Sequence, residues 1–142
     1  MNKILVLDDN ASIRMLYAEE LTEAGYEVIT SDNASELMEL LKRESPDLIV
    51  LDIKLADRNG LDLLQDVRAR YHDLPVILCT AYPWFKDDLR SQAADYYVLK
   101  SSDVEELKQS VRMALRIGRK FLKTTTLKET QQRSADYWYE GS

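Results

Sequence analysis

At 142 residues, with 45% apolar and 31% charged side chains, the chain has the composition of one soluble globular domain and too little length for two. A net charge of −6 argues against nucleic-acid binding by the surface as a whole, and no apolar run is long enough to cross a bilayer. The segment Met1–Asp9 reaches acidic side chains too early for a signal peptide, so a cytoplasmic protein is expected. The single Cys79 excludes an internal disulfide, and with the single His72 it leaves no soft-ligand metal cluster.

In chain order, apolar runs alternate with helix-period segments. Lys3–Leu7 reads as a strand buried on both faces. Ile13, Leu16, Tyr17, Leu21 and Ala24 then share one helical face, with Gly25 as the stop. Glu27–Thr30 is a weaker strand. Leu37, Leu40 and Leu41 mark a second helix that ends near Ser45-Pro46, because proline bars continuation. Asp47–Leu51 is a second strongly apolar strand, and Leu61, Leu64, Val67 and Tyr71 form the third helical stripe. Val76–Cys79 is the next buried strand, followed by a helix expected from Pro83 to about Ala93. After a strand at Tyr96–Leu99, Ser102-Asp103-Val104-Glu105 is a capping box opening a fifth helix through Leu107, Val111, Ala114 and Leu115. This alternation predicts an α/β, flavodoxin-like (βα)5 doubly wound parallel sheet with strand order 2-1-3-4-5 and a C-terminal helical extension.

In such sheets ligands bind beyond the carboxyl ends of the strands. The first strand ends at Asp8-Asp9, the third at Asp52, the fourth at Thr80 and the fifth just before Lys100. Three carboxylates, a hydroxyl and an ammonium therefore converge on one edge. Clustered carboxylates repel one another, which raises a pKa or recruits a cation. An all-oxygen, hydrated site suits Mg²⁺, at about 2.0–2.1 Å per ligand. A cation beside a lysine and a hydroxyl also suits a phosphoryl group, with Asp52 as the attacking nucleophile.

The segments Leu7-Asp8-Asp9-Asn10, Leu48 to Leu55 with Gly60 eight residues after Asp52, Thr80-Ala81 and Tyr97-Val98-Leu99-Lys100 resemble, in order, the receiver domain of two-component response regulators, the chemotaxis-regulator-like family. The resemblance spans residues 2 to about 118. It implies a receiver domain over 1–120 and a C-terminal tail over 121–142, with no room for an output domain. It implies that Asp52 is the phosphoacceptor and that Asp8, Asp9, Asp52 and the Lys54 backbone carbonyl hold Mg²⁺. Thr80 and Lys100 would each bond a phosphoryl oxygen, and Lys54 and Tyr82 would set the rate of autodephosphorylation. Thr80 and Tyr97 would form the switch that remodels the face of the fourth helix, fifth strand and fifth helix. The implied partner is a sensor histidine kinase or phosphotransfer protein, and the only catalysis is the domain's own phosphorylation and dephosphorylation.

Each residue has a plainer explanation alone: Asp9 or Asn10 as a helix cap, Asp52 in a turn, Lys100 in solvent. Jointly those explanations require four coincidences on one sheet edge. Cys79 reads as core and His72 as a surface residue near a helix C-terminus. Departures from the family pattern are Ser101 where a proline preceded by a cis bond is usual, Ala56 for another proline, and no glycine before the fifth strand. A pseudo-receiver that binds partners without phosphorylation is the main alternative, and the intact acidic set argues against it. The Asp-x-Asp of a haloacid-dehalogenase-type phosphatase and G-x-G-x-x-G are both absent.

Past the fifth helix, heptad spacing through Gly118 and Phe121, a second capping box at Thr126–Glu129 and the run Tyr137-Trp138-Tyr139 predict an ordered tail. The acidic Asp87, Asp88 and Asp95 facing the basic Arg112, Arg116 and Arg119 are compatible with a homodimer through the same switching face.

Overall fold

In the computed structural model, residues 1–100 and 103–117 are described. Five strands, β1 (Lys3–Leu7), β2 (Glu27–Ser31), β3 (Leu48–Leu51), β4 (Val76–Thr80) and β5 (Tyr96–Leu99), form one parallel sheet in the order β2-β1-β3-β4-β5. Among the described residues four α-helices pack on it: α1 (Ala11–Glu23), α2 (Leu37–Glu44), α3 (Gly60–Arg70) and α4 (Val104–Ile117). Among the described residues no helix is long and apolar enough to cross a membrane.

The sheet is buried on both sides because its side chains alternate between two separate cores. Leu5, Leu7, Ile49, Leu51, Val76 and Leu78 face α2 and α3, meeting Leu37, Leu41, Leu61, Leu64 and Val67. Ile4, Val6, Leu48, Val50, Ile77, Cys79 and Val98 face the other way, against Tyr17, Leu21, Leu107, Val111 and Ala114 of α1 and α4. Each buried side chain of this size contributes roughly 1.5–3 kcal/mol, so the two-sided strands are the main source of stability. The helix starts are set locally. Asn10 accepts the Ile13 N–H at 3.1 Å and Asn59 the Leu61 N–H at 2.7 Å, satisfying donors that the first turn leaves open. Asp103 caps α4 through the Glu105 N–H at 3.0 Å; Ser102 of the expected capping box lies outside the described residues.

Three expectations change. The α1 stripe is narrower than its periodicity suggests: Leu16 is 43% exposed and Ala24 lies at the surface, leaving Tyr17 and Leu21 as its buried residues. The α3 stripe is wider, since Leu63 is also fully buried. The segment after β4 is not an α-helix but two 3₁₀ stretches, Pro83–Asp87 and Leu89–Ala93, divided at Asp88. Asp88 is extended there and its carboxylate accepts the Arg90 N–H at 2.9 Å, a local bond that competes with helix propagation. The second stretch is held from α3 instead, by Gln65 on the Arg90 carbonyl at 3.0 Å and Arg68 on the Ala93 carbonyl at 2.7 Å.

The charge layout for a dimer also changes. Asp95 has a side chain only 3% exposed, beside Arg68 at 3.6 Å, and Asp88 pairs with Arg90 at 2.9 Å within the chain. Two of the three acidic groups are thus engaged internally, while Arg119, the tail over 121–142 and the Lys100–Ser101 bond lie outside the described residues.

Candidate functional site

The strand ends bring the expected residues to one edge. Backbone pairing runs one residue past β1, β3 and β5: Asp8 N–H donates to Ser31 at 3.1 Å, Asp52 N–H to Leu7 at 3.0 Å and Lys100 N–H to Thr80 at 2.8 Å. The sheet itself therefore places Asp8, Asp52 and Lys100 with little freedom. Asp8 and Asp52 are 3% and 5% exposed, Thr80 is fully buried, and Asp9 is exposed at the rim. The carboxylates of Asp8, Asp9 and Asp52 each offer an oxygen within 4.8 Å of the others.

The Lys100 ammonium lies between two of these carboxylates, 2.7 Å from Asp8 and 3.0 Å from Asp52. Burial disfavours its charge, but the two carboxylates outweigh burial and hold its pKa above the usual lysine value. Asp52 is held above the ordinary carboxyl range, chiefly by burial and further by the Asp8 charge, with Lys100 opposing. A site with this much crowded negative charge gains from a second cation. Its donors are hard oxygens, part buried and part open to water, which is the donor set that suits Mg²⁺.

Around this centre lie residues whose contacts the sequence did not reveal. Gly60 packs so tightly that a Cβ added to it would sit 2.0 Å from the Asp52 carbonyl oxygen and 2.7 Å from the Ile53 Cα. Its N–H donates to the Ile53 carbonyl, tying the start of α3 to the loop that follows β3. Lys54 lays its ammonium over the Tyr82 ring, 4.3 Å from the centroid, and the Tyr82 ring in turn meets that of Trp84 in a tilted contact, centroids 4.9 Å apart. The Tyr97 hydroxyl donates to the Tyr82 carbonyl, and burial pushes its pKa up to about 12. Cys79 is 1% exposed and lies 3.2 Å from the Tyr17 hydroxyl; burial pushes the thiol up to about 11, in keeping with a core residue. His72 is exposed beyond the end of α3.

A parallel sheet of this order with an acidic pocket and a lysine at its carboxyl edge defines a receiver, and the chain belongs to the response regulator receiver domain family, whose model matches residues 4–112. Among curated proteins it is similar to the probable transcriptional regulator ycf27 of Porphyra purpurea, 39% identical over 116 residues, covering 80% of this chain and 47% of that protein. It is also similar to the probable transcriptional regulatory protein TcrX of Mycobacterium tuberculosis, 33% identical over 115 residues, covering 80% of this chain and 49% of that protein. The chain spans about half the length of the curated relatives it matches. Among solved structures, response regulator TrrA of Thermotoga maritima in complex with Mg(2+)-BeF is 42% identical with a TM-score of 0.77, covering 80% of this chain and 98% of that one. TrrA has also been solved in complex with histidine kinase ThkA, at 41% identity and a TM-score of 0.76, covering 81% of this chain and 99% of that one.

Proposed function

We propose that this chain is a phosphorylation-controlled switch in which Asp52 accepts a phosphoryl group from a histidine-kinase phosphohistidine. The observation that carries this reading is the convergence of Asp8, Asp9 and Asp52 within 4.8 Å, with Lys100 at 3.0 Å from Asp52. Support also comes from the TrrA structures, one with a Mg²⁺–fluoroberyllate group and one with a histidine kinase. The receiver unit runs over residues 1–120, followed by the segment 121–142.

Asp8, Asp9, Asp52 and the Lys54 backbone carbonyl would hold Mg²⁺. When bound, the ion supplies neutralisation of charge on the transferring phosphoryl oxygens. An Asp52 carboxylate oxygen attacks phosphorus, the P–N bond to the donor imidazole breaks, and the imidazole leaves with the electron pair. The product on this chain is an acyl phosphate. Lys100, already aimed at Asp52, pairs with one phosphoryl oxygen, and the buried Thr80 hydroxyl donates to another. Movement of Thr80 toward that oxygen is transmitted to Tyr97, whose hydroxyl now rests on the Tyr82 carbonyl. A partner-binding module that never takes phosphate has no need of a lysine held between two buried carboxylates.

The test is phosphoryl uptake. Incubated with acetyl phosphate and MgCl₂, wild type gains one phosphoryl mass by intact mass spectrometry, and Asp52→Asn gains none. Equal uptake by the two proteins, or uptake by wild type in excess EDTA, removes the assignment.

Lys54 and Tyr82 set the lifetime of the product. The Lys54–Tyr82 contact places a charged and an aromatic side chain side by side near the phosphoacceptor loop, where they limit the approach of water. Tyr82→Ala removes both the ring and the lysine's resting place, a contact of about 0.5–1 kcal/mol. Hydrolysis of the acyl phosphate is expected to accelerate about 3- to 10-fold, followed by loss of the phosphoryl mass with time. An unchanged decay rate shows that the ring does not shield phosphorus.

A further inference from the structure

The turn from β1 into α1 carries both acidic residues of the first strand end, and three side-chain bonds hold it. Asp8 accepts the Asn10 N–H at 2.9 Å, and Asn10 accepts the Ile13 N–H at 3.1 Å. The third bond is from Arg14, whose guanidinium donates to the Asp8 backbone carbonyl at 2.7 Å. This arginine lies at the fourth residue of α1, next to the positive end of the helix dipole and with no acidic residue in the first turn. A cation there is unfavourable by roughly 0.3–1 kcal/mol, so helix formation does not account for it. Nor does ion pairing account for it, since its partner is a neutral carbonyl.

The geometry of the peptide unit gives the bond a consequence. The Asp8 carbonyl and the Asp9 N–H belong to one planar group. Fixing the carbonyl oxygen therefore fixes the plane from which Asp9 departs. Asp8 needs little help, because its carboxylate is buried and held by Lys100 at 2.7 Å and by Asn10 at 2.9 Å. Asp9 is exposed and depends on its backbone for direction.

We propose that Arg14 is a positioning residue for the divalent cation: by clamping the Asp8–Asp9 peptide it keeps the Asp9 carboxylate turned toward Asp8 and Asp52. This rests on the reading of those three carboxylates as Mg²⁺ ligands. Outer groups that orient metal ligands typically change metal affinity about 10- to 100-fold when removed. A clamp on one of several ligands belongs at the lower end of that range.

The experiment titrates the full chain with MgCl₂ alone by calorimetry, for wild type, Arg14→Met, Arg14→Lys, Asp9→Ala and Asp52→Asn, with thermal unfolding of each as a folding control. Arg14→Met keeps the aliphatic stem and loses the donors; it is expected to bind Mg²⁺ about 10-fold more weakly. Arg14→Lys, which keeps a donor, recovers most of that loss. With acetyl phosphate, Arg14→Met needs correspondingly more Mg²⁺ for half-maximal phosphorylation, while its plateau rate falls far less. Wild-type Mg²⁺ affinity in a folded Arg14→Met overturns the proposal. If that variant does not fold, Arg14→Gln, too short to reach the Asp8 carbonyl, carries the same expectation and the same reversal. Loss of Mg²⁺ binding in Asp9→Ala and Asp52→Asn, but not in Arg14→Met, overturns the Arg14 inference alone. Retention in all of them overturns the metal reading beneath it.

Discussion

Replacing Gly60 with alanine is expected to destabilise the protein by about 3 kcal/mol or more and to abolish phosphoryl uptake. Helix propensity alone argues the opposite way, since alanine is favoured over glycine within a helix by roughly 0.5–1 kcal/mol. The close approach decides the sign. The new Cβ would lie 2.0 Å from the Asp52 carbonyl oxygen and 2.9 Å from its carbonyl carbon, and both are backbone atoms that cannot swing aside as a side chain would. Relief requires α3 to withdraw or the Asp52–Ile53 peptide to rotate, and either movement displaces Asp52. Urea denaturation and intact-mass uptake measure the two consequences. Wild-type stability in Gly60→Ala would show that the start of α3 moves freely.

The second large effect is expected at the opposite edge of the sheet. Arg68 donates to the carbonyls of Leu74 at 2.6 Å, Ala93 at 2.7 Å and Tyr71 at 3.1 Å, and lies 3.6 Å from Asp95. Its side chain is 13% exposed and that of Asp95 3%. Asp95 in turn accepts the Val76 N–H at 2.8 Å, at the start of β4. One arginine therefore joins the end of α3, the entry to β4 and the second 3₁₀ stretch. Arg68→Ala removes these donors and leaves a buried carboxylate without this cation, a change worth about 3–5 kcal/mol. Asp95→Asn keeps an acceptor for Val76 and is expected to cost less. A denaturation series on the two single variants and the double variant gives the coupling between them. Additive effects would show that the pair is not a unit. Because Asp95 is held inward by this pair, it is not available to a partner's arginines, which is why the charge pattern of the sequence overstates the acidic edge.

Much of the site was legible because it lies where local patterns end. Asp8, Asp52 and Lys100 each follow directly on a strand, and Thr80 closes one, so finding the strands found the residues. The fold class followed from the same alternation, and the parallel order β2-β1-β3-β4-β5 agrees with it. The supporting residues were less legible. Gly60 stood in the motif, but no residue pattern says what an added Cβ would meet. Arg14 left one faint signal, a cation at the wrong end of a helix dipole.

What the sequence by itself determined is therefore the apolar periodicity, the helix stops at Gly25 and Ser45, and the acidic residues at the strand ends. These depend on interactions within a few residues or on burial that hydrophobicity dictates directly. Tertiary structure decided the rest. The span after Pro83 has helical spacing in its residues, yet it settles as two 3₁₀ stretches because Asp88 bonds locally to Arg90 while Gln65 and Arg68, on α3, hold the carbonyls of Arg90 and Ala93. Leu16 has the position of a core residue and is exposed, since α1 turns only Tyr17 and Leu21 fully onto the sheet. Asp95 has the composition of a surface charge and is buried against Arg68. Apart from the local Asp88–Arg90 bond, the deciding contact joins elements separated along the chain. Its energy depends on how those elements dock in space, which local residue order does not encode.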